Sequence, residues 1–326
     1  METSKIRKVK TLDGKFLMLP KNDYAFKKIF WSESNKDLLI ALLNATINLP
    51  HDEIENIEFV DRELVGDYYD DKKGILDVRC KTKLGIQVNV EMQLINNRNM
   101  DKRVLFYWSK IYTSQMKAGE RYNSLKKTIT ISILDFEYLT GIEKMHSVFH
   151  IIEDDTKKQL TDIFEMHFIE IPKLSRKYEM SHIDEELNAW IEFIGTEDEE
   201  VLKMLATKND KIKRAYTVLT TISQDEIERR EYIAREMQIH DEISRLEDAK
   251  EEGREEGREE GREEGREEGR EEGREEGREE GREEGREEKA KEDALRFLEL
   301  GINVEIVSKG TGLPIEIVNH LKNNLK

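Results

Sequence analysis

The stretch KKGILDVRCKTKLGIQVNVEMQ, Lys72 to Gln93, decides the fold. Ile75 to Cys80 and Ile86 to Gln93 are short apolar segments on either side of a turn around Lys83 to Gly85, the pattern of two antiparallel strands. In the second segment Ile86, Val88, Val90 and Met92 alternate with Gln87, Asn89, Glu91 and Gln93, so one face is apolar and the other polar. A hairpin can bring Asp77 opposite Glu91. That convergence matters, because two carboxylates share a cation only where their side chains meet. Asp77, Glu91 and the backbone carbonyl of Met92 are hard oxygen donors suited to Mg²⁺ or Mn²⁺. A divalent ion there would polarise a phosphodiester and acidify an attacking water. Gln93, one pleat period beyond Glu91, is placed to hold that water or a phosphate oxygen. Arg79 lies on the Asp77 face, where it can contact a nucleic-acid backbone. The same residues also fit a plainer pattern, the solvated face of a half-buried hairpin.

Working outward, Asp23 to Asn44 has apolar residues at three- and four-residue steps and predicts an amphipathic helix, with Ser32 to Asn35 as the place of interruption. Asp23 and Lys27, one turn apart, fit a simple ion pair. Ile57 to Val65 predicts a strand preceding the hairpin, with a turn at Asp70 to Gly74. Asn99 to Glu120 is helical in pattern, and Ile129 to Leu134, Val148 to Ile152 and Met166 to Ile171 are strand-like. Tyr107 and Tyr112 on that helix are candidates for nucleic-acid contact, although an aromatic stripe at helical spacing also fits a core. Lys102, Arg103, Lys110 and Lys117 form a basic approach. Strands, a helix and further strands predict an α/β fold, a mixed sheet flanked by helices. From Ile183 the pattern is helical, and Ser223 with Glu226 has the S-x-x-E form of a capping box. The folded domain is expected over residues 15–222 and a charged helix over 223–250.

Glu251 to Arg286 is nine copies of E-E-G-R, with 18 Glu and 9 Arg. Its charge of −9 accounts for about half of the chain's −17 and leaves −8 for the remainder, so the global charge does not describe the folded part. A four-residue period creeps around a helix, and the repeat has no apolar residue to form a seam, which excludes a heptad coiled coil. Each glycine costs about 0.8–1 kcal/mol against alanine in a helix. A continuous helix of about 54 Å and a fluctuating solvated spacer both remain open, as does self-association into a homo-oligomer. Residues 289–326 predict a tail of short helices, in which a helix, the turn K-G-T-G and a second helix fit either a helix-turn-helix or a generic helical cap. One cysteine, Cys80, permits no intrachain disulfide and suits a reducing compartment. The opening METSKIRKVK has no apolar signal region, and no 18-residue apolar run occurs, so a cytoplasmic protein with no membrane partner is expected. The His residues do not cluster at zinc-ligand spacing.

KNDYAFKKIFW (Lys21 to Trp31), GILDV (Gly74 to Val78), NVEMQ (Asn89 to Gln93), FYWSKIYTSQMKAGERYNSLK (Phe106 to Lys126) and ITISILDF (Ile129 to Phe136) occur in this order. This set resembles the Rpn family of recombination-promoting nucleases and transposases, within the PD-(D/E)XK nuclease superfamily, over residues 15–220. The resemblance implies a restriction-endonuclease-like fold and a metal-dependent DNA endonuclease linked to recombination or genome defence. It maps the D…E-x-K core onto Asp77, Glu91 and Gln93, with glutamine where the lysine would stand, and adds Asp23 as a further acidic group and Lys27 as a nucleic-acid contact. Lys127 stands where relatives tend to have proline. The alternative is a catalytically silent DNA-binding or self-assembling protein that keeps the nuclease fold.

Overall fold

The computed structural model describes residues 6–49, 53–61, 63–64, 74–75, 77–96, 99–174 and 185–325. The chain divides into two compact units, Met1–Ile243 and Ser244–Lys326.

In the first unit, the helix expected over Asp23 to Asn44 is two helices, α1 (Asp23–Phe30) and α2 (Lys36–Thr46), separated by a 3-10 turn at Glu33–Asn35. Asn22 starts α1 by accepting bonds from the backbone N–H groups of Tyr24 and Ala25, two of the donors a helix start leaves unpaired. Ser32 to Asn35 offer no apolar side chain to the core, so the helical face breaks there. Phe26, Ile29 and Phe30 of α1 and Leu38, Leu39 and Leu42 of α2 are buried.

β1 (Ile57–Phe59), β4 (Val78–Thr82) and β5 (Gln87–Gln93) form an antiparallel meander. Between β1 and β4, the short strands β2 (Glu63–Leu64) and β3 (Gly74–Ile75) pair, among the described residues, with each other alone. Most of the expected turn before Gly74 lies outside the described residues. After β5, helix α3 (Met100–Thr113) carries the chain to β6 (Thr128–Leu134), which runs parallel to β5. β8 (Phe164–Glu170) continues the parallel set, and β7 (His146–Phe149) closes the edge antiparallel, giving the order β1-β4-β5-β6-β8-β7.

This topology overturns the expectation of a solvated hairpin face. β5 is an interior strand, and Gln87, Asn89 and Glu91 are 7, 2 and 5% exposed. Val88, Val90 and Met92 enter the main core with α1 and α2. On the opposite face, Met100 and Val104 of α3 pack with Leu134, Met166 and Phe168. Helices on both faces are what a sheet with parallel strands requires.

α4 (Glu185–Gly195), α5 (Glu199–Lys208) and α6 (Asp210–Gln224) complete the main core. Trp190 is fully buried, edge-on to Phe30 at 5.7 Å and to Phe193 at 6.0 Å. The capping box expected at Ser223 is not formed. Ser223 lies inside α6, where its buried hydroxyl donates to the Leu219 carbonyl and accepts from the Met18 N–H at 3.0 Å. The cap belongs to Asp225, whose Oδ1 accepts from the N–H groups of Ile227 at 2.9 Å and Glu228 at 3.0 Å at the start of α7 (Glu226–Glu299). Asp225→Ala is therefore expected to destabilise the first unit by about 0.5–2 kcal/mol in urea unfolding; an unchanged midpoint would show that the cap contributes nothing.

The first turns of α7 also correct the domain end placed near residue 222. Tyr232 and Ile239 are buried. The Tyr232 hydroxyl donates to the Arg7 carbonyl at 2.8 Å and accepts from the Leu19 N–H at 3.2 Å. The Glu236 carboxylate accepts from Arg7 Nε at 3.0 Å and Asn22 Nδ2 at 2.7 Å. The compact unit accordingly runs on to Ile243.

In the second unit, the remainder of α7 includes the E-E-G-R stretch as continuous, exposed helix. Its Arg254–Glu251 contact, at 3.9 Å between two exposed side chains, contributes little. α8 (Val304–Thr311) and α9 (Ile315–Asn324) follow. Ala294, Val307, Leu313 and Val318 form a small apolar cluster. Lys309, Gly310 and Thr311 belong to α8 rather than to a turn; the break comes at Gly312, which takes the left-handed φ of 75° that ends the helix. Among the described residues no helix is long and apolar enough to cross a membrane.

Candidate active site

The β4–β5 register pairs Val78 with Val90 and Arg79 with Asn89, so Asp77, just before β4, falls opposite Glu91. Both carboxylates line one cavity of about 440 Å³. Its walls come from three helices as well as the strands: Asp23 and Lys27 from α1, Arg103 from α3, and Arg235, Ile239 and Glu242 from α7. The cavity gathers Asp23, Lys27, Asp77, Glu91, Met92, Gln93 and Arg103 of the residues expected at the site.

Asp77 Oδ2 accepts from the Met92 N–H at 2.9 Å, and Oδ1 is 2.8 Å from Lys27 Nζ. Lys27 also forms the expected i,i+4 ion pair with Asp23, at 3.8 Å, but its nearer partner is Asp77, across on the strand side. Arg235 holds Asp23 instead, with Nε 2.9 Å from each carboxylate oxygen. Glu91 Oε1 accepts from Asn89 Nδ2 at 3.0 Å, and Oε2 from Gln93 Nε2 at 3.2 Å. Burial, reinforced by the negative charge of Asp77, pushes the Glu91 carboxyl up to about 7, against the pull of Asn89, Arg103 and Gln93. Burial also raises Asp77, countered by the Lys27 ammonium and the Met92 N–H.

The other expected contacts fall elsewhere. Arg79 is buried outside this cavity, donating to Ser114 Oγ at 3.2 Å and the Asp61 carbonyl at 3.4 Å. Tyr107 is buried beside Ile111, which withdraws it from nucleic-acid contact. Tyr112 is half-buried and stacked on Trp108 at 4.9 Å. Lys102 is exposed and outside the cavity lining. Cys80 is buried, and burial pushes its thiol up to about 12, so it offers no nucleophile. The folded chain does bring two His together: His146 Nε2 and His167 Nδ1 are 2.8 Å apart, and His167 continues to Glu165 at 2.7 Å.

Two charged cavity residues, Arg235 and Glu242, were absent from the sequence expectation. A signal for them exists: Tyr232, Arg235, Ile239 and Glu242 recur at steps of three and four, one face of a helix.

Among the described residues, no group of three or more His, Cys, Asp and Glu side chains is arranged to hold a metal. The donors present are the two carboxylates and the backbone at Met92. They fit Mg²⁺ or Mn²⁺, which bind through one or two carboxylates and fill the remaining positions with water and phosphate oxygens. The Lys27 ammonium stands against Asp77, while the hydrogen bonds to Glu91 come from the neutral amides of Asn89 and Gln93.

A mixed sheet flanked by helices, with Asp77 and Glu91 facing each other at the ends of adjacent strands, is the arrangement of a PD-(D/E)XK-type nuclease domain. Residues 20–249 match the model of the PD-(D/E)XK nuclease family transposases, and the chain belongs to that family. Searches of curated proteins and of solved structures gave no match.

Proposed function

We propose that this protein is a metal-dependent DNA endonuclease of the Rpn type, acting in the cytoplasm in recombination or genome defence. The observation that carries this reading is the convergence of Asp77 and Glu91 in one cavity beside Lys27. In the proposed reaction Asp77, Glu91 and the Met92 carbonyl would hold Mg²⁺ or Mn²⁺. The bound ion supplies Lewis-acid polarisation of the phosphodiester and an acidified water. The water oxygen would bond to phosphorus as one ester P–O bond breaks, the attacking water giving its proton to solvent and the departing oxygen taking one from solvent. Lys27 works against the burial that raises the Asp77 carboxyl and fixes it in direction. Gln93 holds Glu91 and presents a neutral amide towards the water or a phosphate oxygen. Asp23, held by Arg235, adds negative charge at the back of the site. The E-E-G-R stretch, with its charge of −9, is proposed to repel phosphate backbones and limit indiscriminate binding.

One observation favours the silent DNA-binding alternative: Gln93 brings no charge where a lysine would stabilise the transition state. Incubating the purified chain with DNA in Mg²⁺, Mn²⁺, Ca²⁺ or EDTA separates the two. Cutting is expected in Mg²⁺ and Mn²⁺ and not in EDTA, with Ca²⁺ supporting binding without turnover. Binding without cutting in both Mg²⁺ and Mn²⁺ would establish the silent alternative, and cutting that persists in EDTA would remove the metal from the reaction.

A further inference from the structure

Three basic side chains line the Asp77–Glu91 cavity among the described residues, and two are already committed. Lys27 is 2.8 Å from Asp77, and Arg235 is 2.9 Å from both oxygens of Asp23 with a further bond to Gln238 Oε1 at 3.2 Å. Arg103 differs. Its side chain makes no hydrogen bond or ion pair with the described residues, and its Nε is buried without a partner. Its guanidinium is held over the ring of Tyr107, with Cζ 5.1 Å from the ring centre. Tyr107 is itself buried and packed edge-on against Phe106 at 5.5 Å. A buried donor without an acceptor is unfavourable and is normally satisfied by a partner or a ligand.

We infer that Arg103 is the phosphate-binding cation of this cavity, taking an oxygen of the substrate phosphodiester and supplying the positive charge that Gln93 lacks. The inference rests on the phosphodiester reading of the site. The chemistry of the partner follows from the group: a planar guanidinium that acts on Glu91 through its charge alone matches a phosphate oxygen pair, whereas Lys27 and Arg235, the other cations lining the cavity among the described residues, are each paired with a carboxylate. The Tyr107 face fixes the plane of the guanidinium, so less freedom is lost when the phosphate arrives. Gln93 does not replace it in this role, because a neutral amide, with Nε2 3.2 Å from Glu91 Oε2, brings no positive charge to the phosphate.

The test is equilibrium binding of a short fluorescein-labelled DNA duplex to the full-length chain in EDTA, over a series of salt concentrations. Arg103→Ala is expected to weaken binding about tenfold at low salt and to flatten the slope of log K against log salt by about 0.9, the signature of one lost phosphate contact. Arg103→Gln, nearer in size, should behave like Arg103→Ala. Arg103→Lys should keep the wild-type slope but recover only part of the affinity, because the charge remains and the fork is gone. Wild-type affinity and slope in both neutral variants overturn the inference. Weaker binding with an unchanged slope also overturns it, since that pattern belongs to a disturbed fold. The measurement needs no turnover, so a wild-type chain that fails to cut in Mg²⁺ would sink the nuclease reading while the result for Arg103 stands.

Discussion

Glu91→Gln is expected to abolish DNA cleavage while making the metal-free protein more stable at pH 8. The two effects share a cause. Burial beside Asp77 holds the Glu91 carboxyl at about 7, against 4.5 for the unperturbed group. Between these values the folded chain keeps a proton that the unfolded chain releases, so stability is full below pH 4.5 and is lost as pH rises through about 7. The loss is up to about 3 kcal/mol, and a neutral glutamine escapes it. Urea unfolding in EDTA at pH 4 and pH 8 should show the variant gaining on the wild type only at the higher pH. The site can absorb the change: Asn89 Oδ1 is buried without a partner, and rotating that amide presents it to the new side-chain N–H. In Mg²⁺ the wild-type cleavage rate should rise with pH as Glu91 ionises, and added Mg²⁺ should move the rise to lower pH, because binding releases the proton. Full cleavage by Glu91→Gln would assign the activity to other groups.

A chain ending at residue 222 is expected not to fold, whereas one ending at Ile243 should unfold cooperatively. The first loses Tyr232 and Ile239 from the core and the Glu236 carboxylate that holds Arg7 and Asn22. Removing a large buried side chain costs about 2–5 kcal/mol, and two such losses compare with the whole stability of a typical domain, about 5–15 kcal/mol. The shorter chain also loses Arg235, leaving Asp23 with the neighbouring Tyr24 N–H and the 3.8 Å contact to Lys27. Far-ultraviolet circular dichroism with urea titration of both chains decides the matter. Equal midpoints would show that α7 contributes nothing to the first unit.

The pairing at the site was legible in the hairpin because strand side chains alternate with a period of two. That alternation puts Asn89, Glu91 and Gln93 on one side, and a short turn brings Asp77 to the facing position. Whether that side met water was not legible. Solvation depends on β6 and α3, which reach β5 from later in the chain, and a strand does not carry its neighbour's identity in its own residues. Lys27 shows the same limit at shorter range: its expected ion pair with Asp23 along α1 forms at 3.8 Å, but its nearer partner, Asp77 at 2.8 Å, comes from a distant segment.

Ser223 and α7 show where local patterns yield to packing. S-x-x-E is present, but the Met18 N–H needs an acceptor in the core and Ser223 supplies it, so the cap passes to Asp225. The face of Tyr232, Arg235, Ile239 and Glu242 is diluted by the charged residues between them, which made α7 resemble a solvated helix. Local composition and periodicity were enough for the helices, the meander and the two facing carboxylates, since each depends on neighbours a few residues away. The burial of Glu91, the partner of Lys27, the free guanidinium of Arg103 and the extent of the domain depend on contacts between distant segments, whose energies exist only once those segments meet.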